Sequence, residues 1–164
     1  AFVPDTPEVY EKLTGLEYLN FVGDIYGVPG AERRARIERF AEVFELSGAL
    51  SERISAYSHG MQQKLVLMSA LLHNPPVWIL DEPMVGLDPR SAHVLKELMA
   101  EHTRKGHTLF FSTHVLEVAE KLCDRVAIIK QGRIIASGTL DELRQSRGQG
   151  GESLEEIFLE LTEK

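Results

Sequence analysis

Val77-Trp78-Ile79-Leu80-Asp81-Glu82-Pro83 is a short apolar run that ends in two adjacent carboxylates. Pro75-Pro76 bounds it upstream and Pro83 downstream, so it reads as a buried strand rather than a helix. Paired acids at the mouth of an apolar strand need a compensating cation or proton, because buried charge is costly. Open α/β sheets bind ligands at the carboxyl ends of their strands. A hard divalent cation with a phosphate chain would satisfy the first acid, and a polarised water the second. The same residues also suit a strand-end turn with two solvated acids. The rest of the chain decides between these readings.

Downstream, the pattern alternates. Asp88-Pro89 opens a helix as N-cap and first residue, and the helix closes near Gly106. Thr108 to Ser112 reads as a second buried strand centred on Leu109, Phe110 and Phe111. Val115 to Leu122 is a short helix. Arg125 to Lys130 is a strand that turns at Gln131-Gly132 into another, Arg133 to Ser137. Thr139 with Glu142 and Ser153 with Glu156 cap two further helices, separated by a Gly-rich linker at Arg147–Gly151.

Upstream, the chain is helical. Thr14 with Glu17 fits a capping box, and Leu19, Val22, Ile25 and Tyr26 form one apolar face. Pro29-Gly30 separates this helix from a second, beginning near Ala31, with Ile37, Phe40, Ala41 and Phe44 as its stripe. Arg33, Arg34, Arg36 and Arg39 read as its solvated face. A third helix runs from about Ser58 to His73, with Leu65, Met68, Leu71 and Leu72 inward.

Composition bounds the class. The chain has 164 residues, enough for one ordinary domain with a real core. A hydrophobic fraction of 43% with a charged fraction of 26% is that of a globular protein. The net charge of −7 argues against a nucleic-acid partner. The single cysteine, Cys123, excludes an internal disulfide and suits a reducing compartment. No apolar run approaches the roughly 20 residues of a membrane helix. The opening Ala1-Phe2-Val3-Pro4 has strand character and no Met, and reads as a cut end.

Two further segments carry chemistry. Tyr57-Ser58-His59-Gly60-Met61-Gln62-Gln63-Lys64 joins a polar turn to a helix N-terminus, where free N–H groups favour anions. Ser112-Thr113-His114 follows the second strand; a lone His there is more often a structural hydrogen bonder than a catalytic group. Taken in order with Asp81-Glu82 and Gly86-Leu87-Asp88, these segments make the chain resemble the ATP-binding cassette (ABC) ATPase domain of ABC transporters. Tyr57–Lys64 resembles the family signature, and Val77–Glu82 the Walker B strand with its catalytic glutamate. Gly86-Leu87-Asp88 resembles the D-loop, His114 the switch histidine, and Phe2-Val3-Pro4-Asp5 the Q-loop. The resemblance reaches to about Leu143.

The departures are specific. Tyr57, His59 and Met61 stand where the signature has Leu, Gly and Gln, while Ser58 and Gly60 remain. Asp5 stands where the Q-loop has Gln. No Gly-x-x-x-x-Gly-Lys-[Ser/Thr] occurs in residues 1–164, so the phosphate cradle is missing from this stretch. The resemblance implies that this loop, and the aromatic residue that stacks on adenine, lie upstream of Ala1.

The implied fold is α/β, a P-loop NTPase-like (ABC ATPase) fragment: a helical subdomain followed by part of a RecA-like parallel sheet. Residues 1–75 would hold the Q-loop remnant and the helical subdomain with the signature. Residues 76–143 would hold Walker B, the D-loop and the switch histidine, and residues 144–164 a linker and terminal helix. The resemblance implies ATP and Mg2+ as cofactors. Asp81 would hold the magnesium, with Asp5 as a further nucleotide-site contact. Glu82 would be the general base, worth about 10²–10⁴-fold, and His114 would bond the γ-phosphate. Ser58 and Gly60 would close on ATP held by a second nucleotide-binding domain, head to tail, with Asp88 at the seam. The helical segment from Tyr10 to Phe44 would face a transmembrane permease subunit, placing the protein peripherally at the cytoplasmic face of a membrane. The whole would couple ATP hydrolysis to transport, and this stretch alone would be inactive. Two alternatives remain at this stage: a soluble ABC-type ATPase of DNA repair or translation, and a non-catalytic interaction module.

Overall fold

Polar residues spaced three apart set most of the helix starts. Thr14 and Glu17 form a reciprocal capping box on α1 (Gly15–Ile25), with Thr14 Oγ1 accepting from Glu17 N (3.2 Å) and Glu17 Oε2 from Thr14 N (2.8 Å). Ser58 caps α3 (His59–Leu72), and Asp88 caps α4 (Pro89–Arg104) with Pro89 in its first turn. The same device starts α6 (Leu140–Gln145) from Thr139 and α7 (Leu154–Thr162) from Ser153. The computed structural model describes residues 1–145 and 153–162. The linker expected at Arg147–Gly151 lies outside them. The chain divides into two compact units, Ala1–Ser112 and Thr113–Lys164.

In the first unit, α1, α2 (Gly30–Val43) and α3 pack on one another. Leu19, Ile37, Phe40, Phe44, Leu65, Met68 and Leu72 are buried between them. The inward face of α1 differs from the expected one. Ile25 and Tyr26 are 62% and 56% exposed, while Tyr18, Leu19 and Gly23 are buried. Gly23 is the reason. It admits the Arg33 side chain of α2, whose Nε would lie 2.5 Å from a methyl group at that position.

Arg33 also corrects the reading of α2 as carrying a solvated arginine face. Its side chain is only 14% exposed, and it donates to Val28 O (3.0 Å), Asn20 O (3.2 Å) and Asp24 Oδ1 (2.6 Å). Arg36 likewise reaches the Leu72 carbonyl at the end of α3. Both are staples between helices, their stems packed and their terminal guanidinium nitrogens hydrogen-bonded.

The sheet of this unit is parallel, in the order β1 (Phe2–Val3), β2 (Val77–Asp81), β3 (Thr108–Ser112). Val3, Leu80 and Phe111 share one register row, and Phe2, Ile79 and Phe110 the next. The strands are not buried on both faces, as their continuous apolar character suggested. Val3, Trp78 and Leu80 are buried, whereas Phe2, Val77, Ile79 and Phe110 are exposed, Phe110 by 63%. Alternate residues point to opposite faces, and α4 covers only one, placing His102 edge-on to Trp78 at 5.5 Å. β3 pairs with β2 alone among the described strands.

The second unit begins with α5 (Leu116–Leu122) and the antiparallel hairpin β4 (Val126–Lys130) and β5 (Arg133–Gly138). The hairpin turns at Gln131 and Gly132, both with positive φ (50° and 74°), the backbone of a tight two-residue turn. Ile128, Leu143, Leu154 and Ile157 form its core.

Candidate functional site

β2 and β3 end level with each other, so Asp81 and Ser112 are register partners at the carboxyl ends of adjacent parallel strands. Ser112 uses that position twice. Its hydroxyl donates to Asp81 Oδ1, and its carbonyl and Oγ accept from Glu82 N–H at 3.2 and 3.3 Å. The Asp81 carboxylate is thereby fixed by one oxygen. Asp81 and Glu82 are both partly buried.

Glu82 occupies the left-handed region at φ 43°. Such a conformation is uncommon for a residue with a long side chain and is held only where its surroundings impose it. Here the imposing contacts are the two bonds from Glu82 N–H to Ser112 and the turn that follows, in which Val85 N–H donates to Glu82 O (3.0 Å). The backbone thus reverses direction immediately after the strand, presenting the second carboxylate differently from the first.

That turn leads to the N-terminus of α3. A methyl group at Gly60 would lie 2.8 Å from the Gly86 carbonyl oxygen, so the two backbones touch. Gly86 has φ 77°, and the His59 ring lies over it. Asp88 caps α4 by accepting from Ser91 N (2.9 Å) and Ser91 Oγ (2.6 Å), and it pairs with Lys64 Nζ at 2.9 Å. These bonds, Ser91 first and Lys64 second, hold the Asp88 carboxyl far below the usual carboxylate range. Ser58 is exposed, and its Oγ accepts from Met61 N (3.3 Å), leaving its own O–H to donate outward.

The structure therefore brings together two groups of the expected residues within the first unit: Asp81 with Glu82, and Ser58 and Gly60 with the Gly86–Asp88 turn. Asp5 is exposed, two residues past Val3, at the same end of the sheet as Asp81. His114 belongs to the second unit, in an exposed segment where Val115 N–H donates to Thr113 Oγ1 (3.0 Å).

Three participants, Ser112, Lys64 and Gly86, lie within the quoted motif segments but received no role of their own from the sequence. Ser112 was legible in principle, because strands of equal length in a parallel pair end together. Lys64 lies one turn beyond Gly60, a spacing that places both on one side of the helix. Gly86 carries the weak signal that a glycine after a strand marks a close backbone approach.

The donor set fits magnesium better than a softer ion: carboxylate and hydroxyl oxygens suit hard cations, which one or two carboxylates hold along with phosphates and water. Among the described residues no cluster of three or more His, Cys, Asp or Glu side chains is placed to hold a metal by protein ligands alone.

Comparison with known proteins gives a consistent picture. The family model described as "ABC transporter" matches residues 1–85. The ABC-type transporter ATP-binding protein EcsA of Bacillus subtilis (strain 168) is 36% identical over 164 residues, the full chain and 66% of EcsA. The uncharacterized ABC transporter ATP-binding protein YthP of the same organism is 35% identical over 158 residues, 96% of the chain and 67% of that protein. The chain thus spans about two thirds of the length of these relatives. A solved ATP-binding subunit of an ABC transporter superposes with a TM-score of 0.95 at 42% identity, over 98% of this chain and 67% of that one. The ATP-binding cassette MJ0796, solved as a dimer in a post-hydrolysis state bound to ADP and Pi, superposes with a TM-score of 0.74 at 26% identity, over 85% of this chain and 62% of its own. The parallel strands, the acidic end of β2 and the capped α3 are accordingly those of an ABC ATPase domain, and the chain belongs to the ABC transporter ATP-binding protein family.

Proposed function

We propose that this chain is the part of an ABC transporter's ATP-hydrolysing subunit that holds the catalytic carboxylate and the signature, coupling ATP hydrolysis to transport across a membrane. The observation that carries the reading is the strand end at Asp81-Glu82. Two adjacent acids are presented in different backbone conformations, one fixed by Ser112 and the other on a left-handed residue. Adjacent carboxylates in unlike settings suit unlike tasks. Asp81 would hold magnesium, and the ion when bound neutralises phosphate charge and polarises the phosphoryl oxygens. Glu82 would orient the attacking water and accept its proton. His114 would hydrogen-bond the γ-phosphate, and Asp5 would contact the nucleotide site from the end of β1.

Ser58 O–H and the first N–H groups of α3 would serve ATP bound to a second nucleotide-binding domain, facing head to tail, with Asp88 near that seam. The related MJ0796 was solved as a dimer bound to ADP and Pi, which supports the pairing of two such domains. In functional terms residues 1–75 would form the partner-facing and signature part, residues 76–143 the catalytic part and residues 144–164 an accessory tail. The helical part would meet a transmembrane permease subunit. Tyr10, Phe21 and Ile25 are apolar and exposed there, with Phe21 and Ile25 one turn apart on α1 and Tyr10 edge-to-face with Phe21 at 5.6 Å. No helix among the described residues is long and apolar enough to cross a membrane. The protein would therefore sit at the cytoplasmic face through that subunit.

The test is Glu82→Gln in the protein extended upstream to include a phosphate loop. Hydrolysis is expected to fall by about 10²–10⁴-fold with ATP affinity retained, because an amide keeps the shape but is no base. The 164-residue chain alone is the control and should release no phosphate above background, since no Gly-x-x-x-x-Gly-Lys-[Ser/Thr] lies within it. Undiminished hydrolysis by the variant removes Glu82 from the role of base.

A further inference from the structure

Lys64 is a largely covered cation with an assigned anion. Its side chain is 13% exposed, and Asp88, at 48%, lies 2.9 Å from its ammonium. With Asp88 half exposed the pair sits at the edge of the packed region, so it matters more for the geometry it fixes than for raw stability. The pair joins two segments that already touch. Gly60 abuts the Gly86 carbonyl, and His59 covers Gly86. Beyond Gly86 the turn returns to Glu82 through the Val85 N–H bond, and Glu82 is tied to Ser112. A continuous path of backbone contacts therefore runs from the first turn of α3 to the end of β2, and among the described residues the Lys64–Asp88 ion pair spans it.

We propose that Lys64 is a positioning residue: by clasping Asp88 it locks the first turn of α3 to the Glu82–Asp88 turn, so that Ser58 and Glu82 move as one body. The inference rests on the proposed function, in which Ser58 serves the nucleotide of a second copy and Glu82 that of its own. One rigid piece then belongs to both nucleotide sites of a dimer, and closure at one site displaces the base at the other. Asp88, half exposed near the seam, is engaged within its own chain in this scheme. Its carboxylate already carries the two Ser91 bonds and the ammonium.

The experiment has two arms. In the 164-residue chain, hydrogen exchange is followed at the amides of residues 59–62 and 85–88. Lys64→Met should speed exchange in both segments together, and Lys64→Arg should leave both near wild type, since a guanidinium also reaches the carboxylate. Acceleration in only one segment, or in neither, overturns the clasp. In the upstream-extended protein, Lys64→Met should lower kcat by about tenfold to a hundredfold, the scale of a misplaced catalytic group, with KM for ATP unchanged. Lys64→Arg should restore most of the rate. Asp88→Asn keeps the α4 cap and removes the charge, so it should reproduce the loss, and the double variant should be no worse than either single one. Wild-type kcat in Lys64→Met, or losses that multiply in the double variant, refute the inference. An extended wild-type protein without ATPase activity would instead refute the proposed function, and the exchange arm would still judge the clasp.

Discussion

Replacing Arg33 by Met tests whether this arginine is the staple of the helical part or one of a solvated row. Methionine keeps an unbranched stem over Gly23 and removes the guanidinium. Its bonds to Val28, Asp24 and both the carbonyl and the side-chain oxygen of Asn20 go with it. The Val28 carbonyl loses the side chain that bonds it at 3.0 Å, at a cost of about 1–3 kcal/mol for a part-buried acceptor left unsatisfied. The Asn20 carbonyl loses a second partner only, because it also serves the α1 ladder. The Asp24 ion pair involves a carboxylate that is 72% exposed, and such pairs contribute about 0–1 kcal/mol. Arg33 Nε–H is buried without a hydrogen-bond partner, so wild type already forfeits part of the gain, and its removal offsets some of the loss. The balance is about 2 kcal/mol of destabilisation, confined to the first unit. Trp78 is the sole tryptophan and is fully buried in that unit, so its fluorescence reports this unit's unfolding. In a urea titration the midpoint should fall with the slope unchanged. Arg33→Lys should lie between, since one ammonium does not span acceptors on three residues. A midpoint within about 0.5 kcal/mol of wild type, as for an ordinary surface substitution, would return Arg33 to the solvated face.

Two further outcomes are expected. In the upstream-extended protein, Ser58→Arg should leave ATP binding to the monomer intact while abolishing ATP-dependent dimerisation and hydrolysis. Light scattering that showed a normal ATP-bound dimer would reject the placement of Ser58 at a partner's nucleotide. Burial lowers the affinity of the His102 imidazole for a proton, and the neighbouring His107 adds to this, so the folded state favours neutral His102. The unfolded chain takes up that proton near pH 6.5, and stability measured by Trp78 fluorescence should therefore be full above that value and fall as the pH is lowered below it. His73 is lowered by burial in the same sense, so His102→Gln should flatten the slope between pH 5 and 7 in part; an unchanged slope would exclude His102 as a source.

What could be read in the sequence was what depends on near neighbours. The caps at Thr14, Ser58, Asp88, Thr139 and Ser153 use bonds reaching three residues, and each formed where the spacing placed it. The acidic strand end and the order of the motifs were legible for the same reason. The faces of the strands were not. Val77–Leu80 and Leu109–Phe111 are apolar throughout, and an unbroken run carries no alternation to show which residues α4 will cover. Arg33 was misread because its acceptors lie 5 to 13 residues away, on an α1 face opened by Gly23. The Ser112–Asp81 bond joins residues 31 apart and needed the register of two strands.

The three departures from the usual signature have structural explanations that bear on the chemistry. Tyr57 is buried, and its hydroxyl donates to the Ala49 carbonyl at 2.7 Å in a space that Gly15 leaves open; a methyl group at Gly15 would collide with the Tyr57 hydroxyl oxygen. Burial raises the Tyr57 pKa, with Glu52 adding to it, so the phenol stays a donor. His59 is spent on covering Gly86. Met61 contributes its backbone N–H to the Ser58 cap, a bond that needs no particular side chain. Each change is thus absorbed on the scaffold side of the helix start. The groups that would meet an anion, the Ser58 hydroxyl proton and the first-turn N–H groups of α3, do not depend on the replaced side chains. A glycine in place of His59 would remove only the cover on Gly86, whereas an alanine at Gly60 would force the helix start away from the Gly86 carbonyl. The position that tolerates least change in this signature is therefore Gly60, where one backbone rests directly on another.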